Sequence, residues 1–170
     1  MIKPAKPIEC PDWYHQYIKL VPKGDMILSM EKQLYEMDWL LVHVDEEKAE
    51  YRYALNKWSI KELLGHLIDT ERILTYRALT FARNDKTNLP QYNHENYMQQ
   101  INFTSINFDD LKKEFRLLRE ANRLMFKNFD DSVWDHRGKA NRKEFSTRAM
   151  LSIIIGHCYH HMNIIREKYL

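Results

Sequence analysis

Glycine and proline are scarce in this chain: four and five among 170 residues, with Pro4, Pro7, Pro11 and Pro22 all near the start. Scarcity of both helix breakers leaves long stretches free to be helical and offers little turn chemistry for a strand-rich fold. Cysteine is rarer still, with only Cys10 and Cys158. Two cysteines without a CxxC spacing make no thiolate metal site, and Cys158 lies inside a helical pattern. That argues against a structural disulfide and fits a reducing, cytoplasmic setting. No apolar run approaches the roughly 20 residues that a bilayer span needs. The opening MIKPAKPIECPDWYHQYI lacks the apolar centre of a secretory signal. An excess of one charge is also missing: 26 Lys and Arg against 24 Asp and Glu leave +2, well interspersed. Nothing in that balance asks for nucleic acid or a membrane as partner.

What is present is an ordinary globular composition, 44% apolar and 29% charged. The length suits one domain over residues 1–170, with 1–23 as an extended N-terminal segment whose IKPAKP run reads as a solvated tail. Four long helices are expected. The first runs from about Asp25 to about Val44, with Ile27, Met30, Leu34, Met37 and Leu41 at 3–4 spacing. The second opens on SIKE, where Ser59 caps and Glu62 reaches back, and continues to about Asn84. A long irregular connection to Ile106 leads to a third helix capped by Asn107 or Asp109. DHRGKANRKEF then predicts a tight turn around Gly138, or a short hairpin, before a last helix from Ser146 or Thr147 to about Lys168. The fold class is therefore all-α: an antiparallel four-helix bundle, with a long loop after helix 2 and a turn or hairpin before the last helix.

The last helix carries GHCYHHMNIIREKYL, three histidines within five positions of an apolar run. At about 100° per residue, with Ile154 at the centre of the apolar stripe, His161 lies about 20° and His157 about 60° from that centre. Both point inward, whereas His160, about 120° away, belongs at the flank or in solvent. On the second helix His66 lies about 100° from the stripe centre, at a boundary that can face a second neighbour. Residues i and i+4 share a helix face, so His157 and His161 can bind one ion together, and a third imidazole leaves a coordination position open. Buried histidines with hydrogen-bond partners would also satisfy the pattern.

Two of the four glycines, Gly65 and Gly156, directly precede His66 and His157 inside helices. Each costs about 1 kcal/mol relative to Ala there, which predicts a close approach of the two helices at these points. Glu71 falls within about 40° of the apolar stripe and needs a partner, for which Arg77, Arg83 and Arg166 are candidates. Asp69, on the opposite side, is expected in solvent.

The stretches WSIKELLGHLIDTERILTYRALTFAR, LPQYNHENYM, GKANRKEFS and STRAMLSIIIGHCYHHMNIIREKYL, in this order over residues 25–170, resemble the DinB/YfiT-like superfamily. That resemblance implies a four-helix bundle, often a homodimer, in which three histidines hold a divalent metal; imidazole donors suit zinc and nickel, the expected ions, as well as copper and iron. The matching positions are His66, His157 and His161; helical facing, independently of the resemblance, makes His160 and Glu71 candidates for supporting contacts. The resemblance further implies a transferase acting with a metal-activated low-molecular-weight thiol. The alternatives are a hydrolase using metal-bound hydroxide and a non-catalytic, stress-related metal-binding protein. The chain departs from the family pattern at Gln91 and Asn93, where related sequences often carry Gly and Asp, in a loop expected to border the metal pocket.

Overall fold

A computed structural model describes all 170 residues. Four long helices form its frame: α2 (Met26–Leu41), α4 (Ile60–Ala82), α6 (Phe108–Lys127) and α7 (Thr147–Lys168). Their starts follow the capping chemistry of the sequence. Asp25, Ser59, Asn107 and Ser146 each accept a backbone N–H of the first turn, and Ser59 with Glu62 closes the expected capping box. Each helix buries a stripe, together forming two apolar clusters, one around Phe81, Met150 and Ile154 and the other around Leu64, Phe115 and Met162. No helix is long and apolar enough to cross a membrane.

The helices pack as a ring in which α4 touches α7 and α6, and α2 touches α6 and α7. Polar contacts set the directions. The Ala82 carbonyl at the end of α4 meets His136 just before α7, and the Tyr169 hydroxyl at the end of α7 donates to the Trp58 carbonyl before α4. These two helices are antiparallel. So are α2 and α6, where Gln33 meets Arg119 and Asp38 meets Arg116. By contrast, Glu46 binds both Lys61 at the start of α4 and the Phe108 amide at the start of α6, while Arg72 reaches Glu114. Thus α4 and α6 run parallel. Ser152 at Met26 and Ile155 at Gln33 give α2 and α7 the same sense. The antiparallel expectation therefore holds for two neighbour pairs of four, because the connections from α2 to α4 and from α6 to α7 cross the ring rather than joining neighbours.

One polar network ties the whole ring together. Glu71 of α4 pairs with Arg119 of α6 at 2.8 Å, and Asn122 donates to its other oxygen at 3.0 Å. Arg119 also donates to Gln33 of α2, whose amide reaches the Ile155 carbonyl of α7. The partner of Glu71 is thus on α6 and is none of the three arginines the sequence suggested.

The fold is not wholly helical. Strands β1 (Asn88–Leu89), β2 (Arg137–Ala140) and β3 (Lys143–Ser146) form a small sheet in that order, β1 parallel and β3 antiparallel to β2. The hairpin forms, but its turn lies at Asn141–Arg142, both at positive φ (50° and 59°), between the paired residues Ala140 and Lys143. Gly138 sits within β2 instead, where a Cβ would collide with the Phe81 ring.

The first 23 residues also differ from expectation. They form 3-10 turns at Pro7–Glu9 and Asp12–Tyr14 and a short helix α1 (His15–Ile18) that packs on α7. IKPAKP is held to the frame: the Ala5 amide donates to Ser152 Oγ at 2.9 Å, and the Met26 amide to the Ile2 carbonyl at 2.9 Å. Between α2 and α4 lies α3 (Glu46–Glu50), and between β1 and α6 lie α5 (His94–Gln99) and a 3-10 turn at Phe103–Ser105.

Candidate metal centre

His66 on α4 and His157 and His161 on α7 converge, as the helical arithmetic predicts. All three are at least nine-tenths buried, at 4%, 8% and 8% exposure. His66 Nε2 lies 3.0 Å from His157 Nε2, which lies 3.1 Å from His161 Nε2. The three side chains offer one ligand atom each, all within 4.8 Å of one another.

Hydrogen bonding alone does not account for this cluster. An imidazole nitrogen has either one hydrogen or one lone pair in the ring plane, so His157 Nε2 can satisfy one of its two contacts and not both. Protonation does not help. Burial, with the neighbouring imidazoles adding to it, pushes His66 down to about 3 and holds His157 and His161 well below their ordinary value. The three rings are therefore neutral at pH 7, with lone pairs available. His161 Nδ1 is buried with no partner at all. A tetrahedral centre with Zn–N bonds of about 2.0–2.1 Å has neighbouring nitrogens about 3.3 Å apart, close to the spacings seen here. The residues fit a three-nitrogen divalent centre.

The surroundings hold these rings in place. Thr70, one turn after His66, puts its hydroxyl 3.4 Å from His66 Nδ1 and 3.3 Å from the Tyr92 hydroxyl. Such a partner on the far nitrogen leaves Nε2 as the ligating atom. The Trp58 ring packs on His66 at 4.8 Å, and the Tyr17 ring packs edge-on against His157 at 5.3 Å and His160 at 5.6 Å.

The glycines act differently from the expected helix–helix approach. A Cβ on Gly65 would enter the Phe103 ring, and one on Gly156 would meet the backbone of Tyr17. Each admits a third segment against its helix, and α1 is thereby seated beside the histidines.

The histidines form part of the wall of a cavity of about 570 Å³. His160, half-buried, lines it from the flank. Gln91 and Asn93 also line it, so the departing loop does border the site. Glu71 does not line it, being turned to α6 in the polar network. Asp69 is half-buried beside Arg72, and burial raises its pKa, so it is less solvated than expected. Neither cysteine lines the cavity, and burial pushes the Cys158 thiol up to about 11, so no protein thiolate serves the site.

Sequence reasoning missed His94, at the first position of α5, whose ring lies 5.3 Å from that of His66. Its signal was present in LPQYNHENYM, where Asn93 caps the turn that follows.

A family model described as the DinB superfamily matches residues 29–165. The chain belongs to the DinB superfamily. No curated protein matches it. Among solved structures this DinB chain is similar to YfiT from Bacillus subtilis, at 12% identity and a TM-score of 0.72, over 96% of this chain and 91% of that one. YfiT is described as a probable metal-dependent hydrolase with an unusual four-helix bundle topology. At that identity the likeness establishes a shared fold.

Proposed function

We propose that this DinB protein is a metal-dependent hydrolase of a small-molecule substrate, with His66, His157 and His161 as the ligands of one divalent ion. The observation that carries the reading is the convergence of three neutral Nε2 atoms on one point of a cavity wall, with more contacts than their protons can satisfy. A three-residue donor set leaves a position for a ligand, whereas structural zinc sites normally take four protein ligands. Bound there, a divalent ion would polarise a ligand bond and lower the pKa of a group it coordinates. The nitrogen donors suit zinc and nickel.

The protein's own groups supply the rest. Trp58 and Tyr17 fix the ring planes and shield them from bulk water. With Nε2 on the ion, His66 Nδ1 would carry the hydrogen and donate it toward Thr70 Oγ1, 3.4 Å away, keeping that ring in one tautomer. His94 and His160, on the cavity wall and uncommitted to the triad, are placed to accept and return a proton. The cavity volume matches a small molecule rather than a polymer. The resemblance of the YfiT fold, with its hydrolase description, favours hydrolysis over transfer to a thiol.

The deciding experiment is turnover of a panel of small esters and amides by metal-loaded protein, with and without an added low-molecular-weight thiol. Turnover that needs metal and no thiol supports the hydrolase. Turnover only with thiol would establish the transferase instead.

A further inference from the structure

The cavity has a second pole, at Arg77. This residue is eleven positions after His66 on α4, which brings it about 20° round the helix on the same face and about 16 Å further along the axis. Side chains on a helix lean toward its N-terminus, which for Arg77 is the end that carries His66. Both residues line the one cavity.

Arg77 is only 6% exposed, yet it has no carboxylate partner. Its Nη2 donates to the Pro90 carbonyl at 2.8 Å, and the ionisable groups that bear on it are the phenols of Tyr14 and Tyr92. The contrast with Arg119 is direct, since that buried arginine is matched by Glu71 at 2.8 Å. A buried cation without a counter-charge is costly, and a guanidinium has five N–H donors, of which Pro90 takes one. The remaining donors therefore stand ready on the wall of an open cavity. Lys143 adds a second positive charge to the lining, and Glu95, exposed, is its one carboxylate. The same lining carries the aromatic rings of Tyr14, Tyr17 and Phe145.

We propose that Arg77 binds an oxyanion, a carboxylate or phosphate, at one end of an elongated substrate whose apolar body lies along the aromatic wall and whose reacting bond lies at the three histidines. The last element rests on the reading of the histidines as the reaction centre; the anion subsite does not. A planar guanidinium grips either anion through two parallel N–H bonds, which fixes the direction in which the substrate enters.

The test uses metal-free full-length protein, prepared with a chelator, so that an anion cannot bind at the histidines through a metal. Trp13 and Trp58 line the cavity and report binding by fluorescence, with calorimetry as a second readout. The probes are 4-phenylbutyrate, its neutral analogue 4-phenylbutanamide, and phenethyl phosphate. Native protein is expected to bind an anionic probe about 10- to 100-fold more tightly than the amide, the range of a charge-assisted pair. Arg77→Gln should erase that preference and Arg77→Lys should keep part of it, with the metal content of both variants, measured before chelation, unchanged. The stronger of the two anions identifies the group. Equal binding of acid, phosphate and amide by native protein overturns the proposal without any variant. A preference that survives Arg77→Gln, or one that needs metal and disappears in His66→Ala, also overturns it. Failure of the metal centre with an intact anion preference would remove the hydrolase reading alone.

Discussion

The backbone of Tyr17 rests directly on Gly156: a Cβ at position 156 would stand 2.0 Å from the Tyr17 carbonyl oxygen. This contact explains a glycine in the interior of α7 and seats α1 where the Tyr17 ring packs on His157 and His160. Gly156→Ala should therefore destabilise the protein by about 1–3 kcal/mol, as overpacking does, despite the advantage of about 1 kcal/mol that Ala has in a free helix. Urea denaturation checks this. A variant as stable as the native protein would mean that α1 is loosely held.

Arg119 and Glu71 form the buried centre of the network joining all four long helices. Removing one partner strands a charge, so Arg119→Met should cost about 3–5 kcal/mol. Replacing both, as Glu71→Leu with Arg119→Met, should recover most of that loss. Metal content should be unchanged in the double variant, because Glu71 does not line the cavity. Thermal denaturation and elemental analysis of the two variants settle both points.

The histidines also make stability depend on pH. Burial lowers the folded pKa of His66 to about 3 and those of His157 and His161 well below normal, whereas in the unfolded chain each titrates near about 6.5. Between those values the unfolded chain binds more protons, so stability rises with pH. Their contribution is fully present above about pH 6.5 and is lost progressively as pH falls toward the folded values, at up to about 1.4 kcal/mol per pH unit for each ring. Metal-free protein should show its urea midpoint falling steeply from pH 6.5 to 5. His161→Phe should flatten that fall, and an unchanged slope in the variant would contradict the burial of a neutral ring.

How much of this was legible in the sequence depends on the range of each interaction. Helix starts are local, and Ser59, Asn107 and Ser146 announced them. The inward pair His157 and His161 is one turn of one helix, so periodicity sufficed. His66 was harder, because its angle places it at a boundary and only the neighbouring helix decides which boundary is used. What a glycine makes room for was not legible at all: Phe103 and Tyr17 reach Gly65 and Gly156 from distant segments. The same holds for the partner of Glu71, since one helix's periodicity says which way a side chain points and nothing about what stands opposite. Parallel packing of α4 with α6 was hidden for a related reason, as short periodic segments carry no record of how the connections cross. The N-terminal run IKPAKP looked like a solvated tail because it is short, yet the backbone of Ile2 and Ala5 bonds to the frame.

His160 separates facing from mere proximity. Its ring lies 4.9 Å from that of His161, but its nitrogens take no part in the convergence of Nε2 atoms. His160→Ala should retain bound metal, and His161→Ala should lose it. Metal retained in His161→Ala and lost in His160→Ala would show that the helix presents the other face.

The most direct measurement is the metal content of untagged native protein beside His66→Ala, by elemental analysis after purification without a metal column. One divalent ion per chain in the native protein, absent from a folded His66→Ala, is the expected result. A folded native protein that neither carries nor takes up an equivalent of zinc or nickel would contradict the metal centre, and with it the hydrolase built on these three histidines.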